Sequence, residues 1–160
     1  LRKYASELKK AKTKDASGSY TFDSTQLETL DCSEIRRAIC ELAKGCVNNV
    51  PYKWGASSLD KSIGTDCSGF TKALYAQFGI DLPRKSYTQG QNGVKVSREA
   101  ARPGDLMVWN HKPGDDTGHV AIYIGNGMAI HAPGKGKFVT YKQGEDSGGK
   151  QFLGYYSFFD

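Results

Sequence analysis

Apolar residues recur at helical spacing in the first half of the chain and as short runs between turns in the second. From about Asp31 to Lys44 the positions Ile35, Ile39, Leu42, Ala43 and Cys46 follow the i, i+4, i+7, i+8, i+11 pattern, which predicts an amphipathic helix ended by Gly45. A second helix is predicted from Ser68 through Phe78, with Asp66 and Ser68 as capping residue types and Gly79 as its stop. The turn-rich loop Asn48 to Ala56 lies between them, and its Tyr52 and Trp54 read as aromatic cover for the core. After the second helix, Asp81 to Ser86 breaks the pattern, and a polar, Gly-containing segment runs to about Val96. From Pro103 the period changes to that of strands: Leu106 to Trp109, His119 to Ile124, Met128 to His131, Phe138 to Tyr141 and Phe152 to Phe158. Helices first and antiparallel strands afterwards predict an α+β domain over residues 31–160. Residues 1–30, with few apolar positions and the linker-like run Asp15 to Ser19, read as a lead-in, helical or disordered.

At 160 residues the chain suits one core, and no apolar run approaches the ~18 residues that a membrane span requires. The net charge of +5 raises the question of nucleic acid. Six basic against two acidic residues in positions 1–15 supply +4 of it, so the rest is nearly neutral and no basic groove is expected there. The basic tail reads as a solvated linker or helix face. Of the four cysteines, Cys32, Cys40 and Cys46 would stand about 12 and 9 Å apart along one helix, too far to bridge, so free thiols are expected. No spacing suits a zinc site.

The remaining cysteine, Cys67, falls at the predicted start of the second helix. Unpaired backbone N–H groups and the helix dipole there favour a nucleophilic thiolate. If Gly125-Asn126-Gly127 is a three-residue hairpin loop, Ile124 opposes Met128 and Ala121 opposes His131. His119 then lies on the same sheet face as His131, as its diagonal neighbour. A two-residue loop would put them on opposite faces, so the catalytic reading depends on this turn. In the first register His119 is placed as general base to Cys67, with His131 orienting its ring. His111, in a loop rich in Gly, Pro and Asp, reads as solvated.

The ordered motifs Tyr52-x-Trp54-Gly55, Asp66-Cys67-Ser68-Gly69-Phe70, Leu82-Pro83-Arg84-x-Ser86, Pro103-Gly104-Asp105-Leu106, Gly118-His119-Val120-x-Ile122-Tyr123-Ile124-Gly125 and Ile130-His131-Ala132-Pro133 resemble those of the NlpC/P60 cysteine peptidases, over about residues 33–158. The resemblance implies a papain-like α+β fold, with N-terminal helices packed on a central antiparallel β-sheet. It also implies hydrolysis of bacterial peptidoglycan stem peptides, commonly at the amide between γ-D-glutamate and a diamino acid, by a secreted or wall-associated protein. By motif, Cys67 is the nucleophile, His119 the base, His131 the third polar residue and Tyr52 a donor to the oxyanion. Asp66 and Ser68 match positions that hold the free amino end of the stem peptide in relatives, or they only cap the helix. Arg84 and Ser86 match a substrate-groove segment. No metal or organic cofactor is required. Two departures stand out: Gly55-Ala56 where the family often has Gly-Gly, and a long charged loop from Asn110 to Gly118. There is no room for a separate wall-binding domain, so the lead-in reads as the end of a stalk from a longer protein. The same residues would serve an amidase or an acyltransferase, and a wall-binding module with a vestigial site is the non-catalytic alternative.

Overall fold

Helices cover one face of a six-stranded antiparallel sheet in the computed structural model, which describes residues 18–112 and 118–159. A 3-10 helix, Ser24–Thr29, precedes α1 (Cys32–Cys46), α2 (Cys67–Ala76) and α3 (Ser86–Gln91). The strands are β1 (Val94–Val96), β2 (Leu106–Trp109), β3 (His119–Gly125), β4 (Met128–His131), β5 (Thr140–Gln143) and β6 (Phe152–Ser157), in the sheet order β1-β6-β2-β3-β4-β5. This is the α+β architecture expected from the pattern. Alternation along β2, β3 and β4 sends Leu106, Val108, Val120, Ile122 and Ile130 into the main core, with Ile39, Leu42, Phe70 and Leu74 of the helices. The opposite face holds a smaller cluster of Met107, Trp109, Ala121, Tyr123, Ala129 and Tyr155.

The structure moves several boundaries for identifiable reasons. Asp31 and Glu34 form a reciprocal capping box at the start of α1. Gly45 does not end this helix: fully buried Cys46 keeps the last turn packed, and the left-handed Asn48, with Asn49 Nδ2 donating to the Gly45 and Val47 carbonyls, closes it. The polar segment before Val96 contains α3 and β1, both too short to carry a period. The strand expected from Phe138 begins at Thr140, because Phe138 only bridges Pro51 and stays exposed. Residues 1–17, with the basic tail, lie outside the described residues. The described part of the lead-in is no loose linker, since Tyr20 and Phe22 are core residues and Phe22 stacks on Phe78.

The β3–β4 hairpin differs from expectation in its turn and agrees in its register. Asn126 and Gly127 have φ of 55 and 74°, the left-handed pair of a two-residue type I′ turn, so Met128 faces Gly125 rather than Ile124. An irregularity between Tyr123 and Gly125, with Gly125 at φ 95°, adds one residue to β3 and restores the pairing Tyr123 with Ala129 and Ile122 with Ile130. The turn alone would have put the two histidines on opposite faces, and the bulge returns them to one.

A buried ion pair ties α1 to the sheet. Arg36 Nη1 lies 2.6 Å from Asp105 Oδ1, with the two side chains 5% and 1% exposed. The same guanidinium donates to the Pro103 and Phe159 carbonyls and to Ser157 Oγ. Asp105 Oδ2 accepts from Arg102 N, and the Tyr75 hydroxyl of α2 donates to the Gly104 carbonyl. The Pro103-Gly104-Asp105-Leu106 motif is thus a joint between both long helices and β2. Truncating one partner strands the other as a buried charge, so Asp105→Ala should lose about 3 kcal/mol or more of stability. Urea unfolding measures this loss.

Candidate active site

Cys67 is the first residue of α2, and the local sequence fixes that helix start tightly. Asp66 is its N-cap: Oδ1 accepts from Gly69 N at 2.8 Å and from Ser68 Oγ at 3.4 Å. Its Oδ2 accepts from Gly55 N at 2.9 Å and from Arg84 Nη2 at 2.8 Å. Arg84 Nη1 donates to Ser68 Oγ at 2.6 Å. Only glycine fits at position 69, because a Cβ there would come within 2.1 Å of the Ala56 carbonyl oxygen. The loop bearing Tyr52 and Trp54 is therefore pressed against the helix start that carries Cys67. From the other side, buried Gln89 of α3 donates to the Ser68 and Pro83 carbonyls and accepts from Thr71 Oγ1 at 2.5 Å.

The backbone N–H groups of Ser68 and of Val120, the residue after His119, are near enough to the Cys67 sulfur to favour its thiolate. His119 Nε2 and His131 Nδ1 are 2.7 Å apart with the rings nearly perpendicular, so the hairpin has brought the two imidazoles into hydrogen-bond contact. The His119 ring also packs beside Trp109. Tyr52 is half-buried, and its phenol feels the charges of Cys67, Asp66 and Arg84.

Burial, more than the helix terminus, sets the resting proton positions. It pushes the Cys67 thiol up to about 11, aided by the Asp66 charge, while the Val120 and Ser68 N–H groups and Arg84 pull the other way. This corrects the expected resting thiolate: the positive end of the helix does not outweigh desolvation. His119 is pulled down to about 3 by burial, then by His131, Lys142 and Lys150, and His131 to about 4 by burial, Lys142 and Lys137. Near neutral pH the site holds a thiol and two neutral imidazoles. Burial and the neighbouring Cys67 and Asp66 also raise Tyr52, so its hydroxyl keeps its proton.

A groove of about 630 Å³ opens over Cys67. Asp66, Ser68, Arg84 and Ser86 line it as the motifs suggested, Ser86 being largely buried with its hydroxyl in space left by the missing Cβ of Gly118. Trp54 was read as core cover, but it is 70% exposed on the groove rim, since its neighbour Gly55 is held by Asp66 and turns the ring outward. Tyr87, Lys85 and His111 also line the groove and were not singled out. Their neighbourhood carries no period, and His111 looked merely solvated. Gln89 was missed for the same reason. Among the described residues no group of three or more His, Cys, Asp or Glu is placed to hold a metal ion.

The model of the NlpC/P60 family matches residues 49–154. The gamma-D-glutamyl-L-lysine dipeptidyl-peptidase of Bacillus cereus is 45% identical over 85 residues, covering 52% of this chain and 25% of that protein. The murein DD-endopeptidase MepS/murein LD-carboxypeptidase of Escherichia coli is 43% identical over 84 residues, covering 52% of this chain and 42% of that protein. The chain thus spans less than half the length of these curated relatives. The crystal structure of a NlpC/P60 family protein from Bacillus cereus matches with a TM-score of 0.68 and 33% identity, over 78% of this chain and 40% of that one.

The two depressed imidazoles give stability a definite pH dependence. Once unfolded they bind protons below about 6.5, while the folded protein keeps them neutral down to about 4 and 3. Their contribution is present above pH 6.5 and is lost as the pH falls from there through 4 toward 3. The urea midpoint should drop across that window, and more steeply in the native protein than in a His119→Gln/His131→Gln variant. Parallel profiles would show that the histidines do not control it.

Proposed function

The chain belongs to the NlpC/P60 family, whose model matches 106 of its 160 residues, and on that premise we propose that it is a cysteine peptidase of bacterial peptidoglycan. The observation that carries this reading is the thiol of Cys67, held at a helix start against the N–H that follows His119, with the His119 ring bonded to His131. The proposed nucleophile lines the groove, and the strand packed beside it carries the proposed base, bonded to the group that would fix its tautomer.

Because the thiol is protonated and the imidazole neutral at rest, proton transfer accompanies attack. His119 takes the Cys67 proton as sulfur adds to the amide carbonyl, and the oxyanion forms near the Tyr52 hydroxyl and the backbone N–H of Cys67. The C–N bond then breaks, and His119 delivers the proton to the leaving amine. Water, deprotonated by His119, adds to the thioester and expels the thiol, which regains its proton. His131 keeps the His119 ring oriented throughout. These steps need no metal or organic cofactor.

The scissile bond we assign is the amide between γ-D-glutamate and a diamino acid, in line with the name of the Bacillus cereus relative. Such a substrate places the protein on the wall side of the membrane, secreted or wall-associated. Among the described residues no helix is long and apolar enough to cross a membrane. Other domains of a longer parent chain would supply any wall anchoring.

Purified muropeptides incubated with the protein should yield fragments cut at that amide, identified by mass spectrometry. Cys67→Ala and His119→Ala should each lose at least about a thousandfold in kcat/KM. Undiminished cleavage by Cys67→Ala would remove the mechanism. In the free protein, alkylation of Cys67 by iodoacetamide, followed by peptide mapping, should keep accelerating with pH toward about 11. A plateau already reached below pH 7 would mean that a thiolate pre-exists.

A further inference from the structure

A second hollow, of about 340 Å³, lies between α1 and the turn that leads into β2, and Ile124 near the end of β3 lines it. Ile124 is five residues along the strand from His119, about 17 Å at strand spacing, so the hollow is separate from the groove over Cys67. Its charged lining is mostly basic: Arg36, Arg37 and Lys44 of α1 and Arg102 of the turn, against Glu41. Arg36 is paired with Asp105, and Lys44 Nζ lies 3.8 Å from Glu41, so among the described residues two cations are in excess. The acidic residues elsewhere do not offset them. Glu7 and Asp15 are outnumbered by six basic residues in the same segment, Asp115 and Asp116 precede β3 at its His119 end, and Asp160 is one side chain against two charges.

Two features distinguish this hollow from an ordinary solvated face. Four of the five N–H groups of the Arg36 guanidinium are taken, by Asp105, Ser157 and the Pro103 and Phe159 carbonyls. The fifth, on buried Nε, has no acceptor among the described residues, and a donor of this kind in a side chain that lines the hollow suits a ligand oxygen. Arg37 is exposed and forms no ion pair among the described residues either. The second feature is the spread of the cations. Arg37 and Lys44 are seven residues apart on one helix, about 10 Å along its axis, and Arg102 Nη2 reaches Ser33 Oγ in the first turn. A single small ion touches one end of this row only, whereas a chain with repeating negative charges follows it.

The lining also selects the kind of chain. Its polar groups are mostly donors, so the matching ligand is rich in acceptors and poor in donors. An acidic peptide would bury backbone N–H groups there without acceptors. A nucleic acid would find no stacking face, because no lining residue is aromatic. A polyol phosphodiester brings anionic oxygens for the guanidinium groups and CH₂ groups for Ile124 and Pro103. We infer that the hollow binds a polyol phosphodiester chain of the bacterial wall, which holds the domain beside its substrate and leaves the groove open. The wall setting rests on the peptidase reading; the binding itself involves neither Cys67 nor the histidines.

The test titrates poly(glycerol phosphate) into the protein by calorimetry at low ionic strength. Arg37→Gln/Lys44→Gln keeps good helix formers at two exposed positions, so the fold is retained, and it should weaken binding about tenfold or more. Lys61→Gln/Lys95→Gln removes the same charge from exposed positions outside the hollow and should weaken binding less than about twofold. Equal losses in the two variants would mean that diffuse charge does the binding, and would overturn the inference, as would no binding at all. Inorganic phosphate, single-stranded DNA or polyglutamate bound as tightly as the polymer would each overturn it too, the first by making this a site for a free ion. Binding that depends on Arg37 and Lys44, alongside muropeptides left uncut, supports the hollow and overturns the peptidase reading alone.

Discussion

One carboxylate holds the site together. Asp66 caps α2, restrains the loop of Tyr52 and Trp54 through Gly55 N and anchors Arg84, so three segments distant in sequence meet at a single pair of oxygens. The contact is almost dry, which makes each of its hydrogen bonds strong and each loss costly. Glycine at position 69 is the steric counterpart, since any side chain there would push the loop away from the helix. The position of the Cys67 sulfur follows from both. A residue that its motif marks as a substrate contact is, in the folded molecule, also the joint on which Cys67 is mounted.

The second half of the site depends on backbone irregularity. Period-2 alternation means that one residue more or less in β3 moves every side chain to the other face. The two-residue turn at Asn126 and Gly127 and the bulge at Gly125 each shift the register by one, and their effects cancel. His119 and His131 therefore meet only because an insertion at the end of β3 precedes the tight turn. Glycine at 125 admits the φ of 95° that the bulge requires.

Much of this was legible in the sequence, and the failures have a common cause. The two long helices, the central strands and the contact between the two histidines follow from apolar period and from residue types at particular spacings. Those signals average over several residues. A single turn is set by one or two φ angles, so the right histidine register was reached through the wrong loop. Trp54, Tyr87, Lys85 and His111 line the groove through tertiary placement alone, with no local signal. Gly45 looked like a helix stop because glycine is one in isolation, whereas burial of Cys46 decided the matter. The resting thiolate failed similarly: the helix terminus is visible in sequence, but the burial that outweighs it is not.

That burial has a consequence for how such a site can work. Lys137, Lys142 and Lys150 surround the imidazole pair, and Lys142 Nζ, 5.1 Å from the Trp109 ring centre, is held by carbonyl oxygens of the following loop. Each of these cations disfavours an imidazolium. On the other flank Asp66 disfavours a thiolate. Charge separation between Cys67 and His119 is therefore opposed from both sides in the empty groove, and the attractive term that remains is the one between the two nascent charges themselves. On the proposed mechanism the proton therefore leaves the sulfur only as it adds to the peptide, whose carbonyl oxygen takes up the negative charge as it forms. The neutral resting pair would then become a nucleophile and its base when a peptide carbonyl stands beside the sulfur.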